Sequence, residues 1–313
     1  MCVSRWTLAD APAQSGRTAV VTGANSGIGF RAAVGLAQRG ARVVMACRNV
    51  EKAQAALDRL RAAAPGAEAE VRELDLADLS SVRDFADGVE EVDLLVSNAG
   101  VMALPYRRTA DGFEMQLGTN HLGHFALTGL LMPTLLTGQD PRVVTVSSAA
   151  HKMGAIAFDD LQSERRYRKW AAYGQSKLAN LLFCFELQRR ADTAGARLRS
   201  VAAHPGYAAT DLQQAGPRMA GSKLAEVAMA ALNRVVAQSD EQGALPTLYA
   251  ATMDLPGGAY VGPDGPGEWR GSPRLVGASK AATDLGTAAR LWEVSEELTG
   301  VRYDFAGAAT TAR

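Results

Sequence analysis

The chain has 313 residues, and 47% of them are hydrophobic, enough to bury a large core. Thirty-three basic side chains balance thirty-three acidic ones, so the formal net charge is zero and the chain lacks the overall electrostatic footprint of a nucleic-acid binder. Cys2, Cys47 and Cys184 are odd in number and widely spaced, with no CxxC pair; this argues against a disulfide framework or a zinc site and leads us to expect a reducing, cytoplasmic setting.

In chain order, residues 1–16 carry no long apolar run and read as a flexible leader without a membrane anchor. Short β-branched runs then alternate with helical stretches: "TAVVT" (18–22), "RVVMAC" (42–47), "AEVREL" (69–74), "DLLVS" (93–97), "RVVTVS" (142–147) and "LRSVAA" (198–203). This alternation predicts βαβ units, hence an α/β fold: a Rossmann-type doubly wound parallel sheet with helices on both faces, one domain over 17–305. A helix is expected from Asn49, a capping residue, to Ala64, where Pro65-Gly66 stops it. The Gly/Pro-rich residues 256–273 predict one late short strand and a loop, followed by a helix over 278–298 and a disordered tail over 306–313.

Directly after the first strand comes "TGANSGIG", Thr22 to Gly29. Glycines at 23, 27 and 29 permit a tight turn, close backbone approach to a pyrophosphate, and close packing of helix on strand. The helix N-terminus would then offer free N–H groups to the phosphates. By itself such a turn is a weak signal, and its GxxxGxG spacing differs from GxGxxG.

"AAYGQSKLAN" sets Tyr173 and Lys177 four residues apart on one helix face. A phenol titrates near pH 10, and an adjacent lysine cation stabilises its phenolate. Lowering the phenol by three units takes about 4 kcal/mol, more than one exposed pair supplies, so a positive nicotinamide ring and partial desolvation are expected to help. "VVTVSSAA" places Ser147 and Ser148 at the C-terminal end of the fifth strand, the edge where α/β sheets bind ligands. Asn120, in "GTNHLGHF", sits in a helical stretch although Asn is a mediocre helix former. Taken singly, each of these residues also reads as ordinary solvated surface.

Together and in this order, TGxxxGIG, the "SNAG" turn, the Asn, the Ser and YxxxK resemble the short-chain dehydrogenase/reductases, from about Thr18 to Thr210. The resemblance implies a tetrad in which Tyr173 is the acid/base, Ser148 polarises a carbonyl, Lys177 binds the nicotinamide ribose and tunes Tyr173, and Asn120 holds a water. It further implies cofactor contacts from Gly23, Asn25, Ser26, Gly27, Ile28 and Gly29, from Asn98, Ala99 and Gly100, and from Pro205, Gly206, Ala208 and Thr210. "MACR", "LDLADLSSVRDFA", "NHLGHF" and "SKLAN", with 25 residues from Ser148 to Tyr173, resemble the retinol dehydrogenase and protochlorophyllide reductase branch. Retinol dehydrogenases usually carry a hydrophobic anchor before the first strand; none is expected here, so retinoid activity is not carried over.

Arg48 ends the second strand in "VVMACRN", about where NAD enzymes put a ribose-binding acid. Its guanidinium fits a 2′-phosphate, with Ser26 and Asn49 adding hydrogen bonds and Asp75-Leu76 flanking the adenine, so NADP(H) is the expected cofactor. Met102, Leu104, Tyr106, Met153, Phe158 and Tyr207 are candidate apolar walls for a small-molecule carbonyl or alcohol, although ordinary core is an equal reading. "RRYRKW" (165–170) reads first as a solvated loop, second as a grip for an anionic group. "LANLLFCFEL", apolar on more than one face, is either deeply buried or the interface of a homodimer. His121 and His124 lack ligand partners in sequence, so no metal is expected, and His204 reads as structural. Two rivals stand beside the carbonyl/alcohol oxidoreductase: a non-catalytic dinucleotide sensor or scaffold, and an NADPH-dependent C=C reductase. The second is disfavoured because protochlorophyllide reductase carries reactive cysteines around its pigment and no cysteine lies between residues 48 and 183.

Overall fold

A computed structural model describes residues 5–207 and 238–305. The apolar runs become strands β1 (Thr18–Thr22), β2 (Arg42–Cys47), β3 (Ala69–Glu73), β4 (Leu94–Ser97), β5 (Arg142–Val146), β6 (Arg199–Ala203), β7 (Tyr260–Pro263) and β8 (Pro273–Leu275). They form one sheet in the order β3-β2-β1-β4-β5-β6-β7-β8. Neighbours from β3 to β7 are parallel, and β8 runs antiparallel to β7. The single late strand expected in the Gly/Pro stretch is therefore a pair, because Val261 pairs with Leu275 across the intervening loop.

Alternation along the strands divides the core. Val20, Val44, Leu95 and Val143 face one layer, built with α3 (Leu79–Asp87), α5 (Gly123–Thr137), α6 (Lys169–Thr193) and α8 (Leu285–Thr299). Ala19, Val21, Val43, Met45 and Val96 face the other, built with α1 (Gly27–Gln38), α2 (Val50–Ala63) and α7 (Asp240–Thr252). Both faces are covered, which is why β1, β4 and β5 are buried at every residue rather than at alternate ones. The remaining helix, α4 (Met115–Leu117), runs through a π-helical turn (Gly118–Leu122) into α5.

Several boundaries differ from expectation for local reasons. The helix expected over 278–298 is broken at Asp284, which caps α8 by accepting from Thr287 N at 2.7 Å; a 3₁₀ turn, Lys280–Thr283, precedes it. Residues 5–16, expected as a flexible leader, are docked: the Trp6 ring meets Tyr249 edge-on at 5.2 Å, and Gln14 N donates to Arg39 O. The tail expected over 306–313 lies outside the described residues. The second apolar face of α6 is covered within the same chain, where Phe183 stacks on Trp292 of α8 at 5.9 Å and Phe125 and Tyr303 close the cluster. Burial inside one chain is thus sufficient to explain "LANLLFCFEL".

Asn49 caps α2 as expected, its Oδ1 accepting from Lys52 N at 2.7 Å. Asn49→Ala is expected to lower unfolding stability by about 1 kcal/mol, measurable as a shift of the urea midpoint with unchanged slope.

Candidate active site

The sheet order reverses direction between β1 and β4, and the crevice at that switch point is where such sheets bind nucleotides. The turn after β1 lines it. Gly23 adopts φ 67°, which favours glycine, and donates its N–H to Ala46 O at 2.8 Å. Gly29 packs so tightly on Gly23 O and the Asn98 amide that a Cβ there would overlap both. Ser26 caps α1 without bonding its N–H groups through the side chain, so the first amides of α1 keep their donors for an anion. These features fit a dinucleotide pyrophosphate.

Thr22 ties the two turns together. Its Oγ1 accepts from Asn98 N (3.0 Å) and Ala99 N (2.9 Å), and Asn98 Nδ2 donates to Thr22 O (2.9 Å). With both lone pairs engaged, the hydroxyl donates to His124 Nε2 at 2.9 Å in preference to Val96 O at 3.4 Å. His124 then carries its proton on Nδ1, 3.1 Å from Asn120 O. Burial holds His124 down at about 4, so it is a neutral strut between Thr22 and the Asn120 carbonyl. His121 is likewise neutral, at about 3, donating Nε2–H to Ser295 on α8.

The four residues implied as a tetrad come together beside this crevice. Asn120 Oδ1 accepts from Val101 N (2.7 Å), while Nδ2 donates to Val101 O and to Ser176 Oγ, both at 2.9 Å. Both amide donors are engaged, so the side chain clamps the loop after "SNAG" to α6. Gly100 is the close-packing partner, since a Cβ there would stand 2.9 Å from Asn120 Oδ1. The two serines part company: Ser147 Oγ turns inward to donate to Lys177 O at 2.8 Å, while the Ser148 hydroxyl meets the Tyr173 phenol. Lys177 Nζ donates to Val146 O at 3.1 Å and lies 5.9 Å from the Tyr173 ring centroid.

Burial is the leading electrostatic influence here. It pushes the Tyr173 phenol up to about 12, with the Ser148 hydrogen bond opposing, and pulls Lys177 down to about 8. Desolvation was expected to assist phenolate formation; it does the reverse, because the charged form loses water. The Lys177 cation, 5.9 Å from the ring centroid, favours the phenolate and so works against that burial at neutral pH. The depressed Lys177 makes stability rise with pH above about 8, since the unfolded lysine still holds its proton there. Above 9 the buried thiols Cys47 and Cys184, raised to about 11 and 12, work in the opposite direction. Urea unfolding at pH 7.5 and 8.5 should therefore show wild-type gaining stability relative to Lys177→Met; equal pH dependence in the two proteins would refute the depression.

Arg48 stands at the C-terminal end of β2, its side chain 71% exposed and its Nε 4.0 Å from Asp75 Oδ2, a loose pairing that leaves the fork available. Asn49 Oδ1 is committed to its cap, so only its Nδ2 remains for a phosphate. Leu76 is packed in the core, its carbonyl and Cβ close against Gly123. Asn25 and Ile28 lie half-buried on the turn. Pro205 and Gly206 follow β6, Gly206 at φ 67°; Ala208 and Thr210 lie outside the described residues.

Of the apolar walls, Leu104 is buried core and Phe158 packs under Arg290 at 4.0 Å, so neither lines an open site. Met102 is half-buried, and Tyr106 and Met153 are exposed. Sequence reasoning missed Trp170, 45% exposed, whose ring lies edge-on to Tyr173 at 6.3 Å, although its i, i+3 spacing was a usable signal. It also missed Trp269, 6.2 Å from Tyr207, for which no local signal exists. "RRYRKW" is anchored by Tyr167, which donates to Leu104 O at 2.7 Å and accepts from Gln116 Nε2, while its cations stay exposed. His204 is structural as expected: Gly206 N donates to its Nδ1, and its Nε2 lies 3.2 Å from Glu268 Oε2, which Lys152 also approaches at 3.3 Å.

A dinucleotide crevice, a turn built for pyrophosphate and a Tyr–Lys–Ser cluster at its mouth are the marks of a dehydrogenase, and the short chain dehydrogenase family model matches residues 17–220. The chain belongs to the short-chain dehydrogenase/reductase family. Human retinol dehydrogenase 12 is 41% identical over 293 residues, covering 92% of this chain and 88% of its own length, which puts the chain in the retinol dehydrogenase-like branch. An uncharacterised protein of Mycobacterium Paratuberculosis, solved by crystallography, is 49% identical with a TM-score of 0.81, covering 96% of this chain and 100% of that one. A Beutenbergia cavernae structure described as an NAD(P)-dependent gluconate 5-dehydrogenase with bound NADP is 27% identical with a TM-score of 0.57, covering 77% and 91%. Among the described residues no helix is long and apolar enough to cross a membrane.

Proposed function

We propose that this oxidoreductase uses NADP(H) to interconvert a carbonyl and a primary or secondary alcohol on a hydrophobic small molecule. The observation that carries the reading is the contact of the Ser148 hydroxyl with the Tyr173 phenol, with Lys177 5.9 Å from the phenol ring. When bound, the nicotinamide cofactor supplies or takes up the hydride. In the reducing direction the neutral Tyr173 donates its Oη proton to the carbonyl oxygen, which Ser148 holds by a second hydrogen bond. Lys177, charged at pH 7 because its value of about 8 lies above it, stabilises the phenolate that forms. Asn120 keeps the "SNAG" loop and α6 in register so that these groups stay aligned. Trp170, exposed with its ring edge-on to Tyr173, supports an apolar substrate.

The test is a panel of hydrophobic aldehydes and ketones followed by NADPH absorbance. Turnover of at least one class is expected; tight NADPH binding without turnover of any would favour the dinucleotide-sensor reading instead.

A further inference from the structure

We infer that Arg59, on α2, is a second cation selecting the 2′-phosphate of NADP(H), alongside Arg48; this deepens the NADP(H) reading above and rests on it. Ser26 and Asn49, expected beside Arg48 at the phosphate, carry no charge, so Arg48 is the one cation that the sequence puts there. The fold supplies a second from a different element.

Arg59 reaches from the third turn of α2 across to the glycine turn, where its Nη2 donates to Asn25 O at 3.2 Å. Its guanidinium lies over the buried Phe30 ring of α1, 4.4 Å from the centroid. Stacking and the carbonyl bond fix the plane of the fork, so little side-chain freedom is left to lose when an anion arrives. Arg48 follows directly on a residue that touches the same turn: the Cys47 sulfur accepts from the backbone N–H groups of Ala24 and Asn25. Arg59 thus meets the turn at the Asn25 carbonyl, and Cys47, the residue before Arg48, meets it at the N–H groups of Ala24 and Asn25, at the end of the turn nearest β2.

The charge of Arg59 is also unclaimed. Among the described residues no carboxylate forms an ion pair with it; its partners are the Asn25 carbonyl and the Phe30 ring. A solvated arginine ordinarily moves freely; one held by a ring and a carbonyl with no counter-ion keeps its positive field at a fixed place. The N–H groups at the start of α1 add to that field from the other side of the turn. A dianionic 2′-phosphate would be drawn to this corner, while a 2′-hydroxyl would gain little from it.

Isothermal titration of 2′,5′-ADP, NADP+ and NAD+ into wild-type, Arg59→Gln and Arg48→Ala protein at low salt tests this without any turnover. Gln keeps helix propensity and an amide donor for Asn25 O, so the exposed substitution removes charge rather than the helix. Arg59→Gln is expected to weaken NADP+ and 2′,5′-ADP by about three- to tenfold, the scale of one partly solvated cation acting on a dianion, with NAD+ unchanged. Equal weakening of NADP+ and NAD+ would show that Arg59 only braces the turn and would overturn the inference. So would an unchanged NADP+ affinity in Arg59→Gln beside a large loss in Arg48→Ala, which leaves the NADP(H) reading standing. If neither variant discriminates between NADP+ and NAD+, the NADP(H) reading fails with it.

Discussion

Tyr173→Phe should lower kcat by about 10²–10⁴-fold against any carbonyl substrate the protein accepts, with NADPH affinity unchanged. The substitution removes one oxygen from a buried ring whose position is otherwise set by α6 and by the edge contact with Trp170. Packing survives and proton donation does not. The pH profile should follow the direction of the shift: a phenol held up at about 12 by burial is protonated, and so competent for reduction, across the neutral range. Oxidation needs the phenolate, so kcat/KM for an alcohol should climb as pH rises from 7 toward 9 while reduction does not. Stopped-flow measurement of both directions in wild-type and Tyr173→Phe checks the two claims together. Turnover by the Phe variant within a few-fold of wild type would remove Tyr173 from the mechanism.

Arg48→Ala should reduce the NADPH-to-NADH ratio of kcat/KM by about ten- to a hundredfold, since a hydrogen bond to a charged group is worth about 1.5–3 kcal/mol. The side chain is well placed for such selectivity because it is mostly exposed and its 4.0 Å approach to Asp75 is too long for a hydrogen bond. Binding a phosphate there requires little rearrangement. An unchanged ratio in the variant would disprove the assignment. Asp75 offers a further check on the same corner: Asp75→Asn should raise the ratio slightly, because it removes the competing carboxylate while its amide oxygen can still accept from Ala77 N, now 2.9 Å from Oδ1.

Much of the site was legible because its chemistry is carried by local spacing. Gly23 and Gly27 take a positive φ that a side chain disfavours, and Tyr173 and Lys177 share a face on any helix that contains both. Asn49 announced the start of α2 by the same kind of local rule. What was illegible depended on contacts between distant segments. Nothing local shows that β8 returns to pair with β7, that Phe158 belongs under Arg290, or that Trp269 reaches Tyr207. The direction of the Tyr173 shift also escaped, because desolvation depends on how completely neighbouring chain segments exclude water.

The sequence by itself determined the βαβ alternation, the glycine turn, the tyrosine–lysine face and Arg48 at the end of the second strand, since each follows from backbone sterics or helical periodicity within a few residues. Only the tertiary structure decided that Asn120 is a clamp with both donors engaged and that Ser148 rather than Ser147 faces Tyr173. It alone decided that α8 covers the apolar back of α6 and that Arg59 reaches the glycine turn from another helix. Those outcomes rest on burial and on hydrogen bonds between residues far apart in the chain, and their energies do not exist until the segments meet.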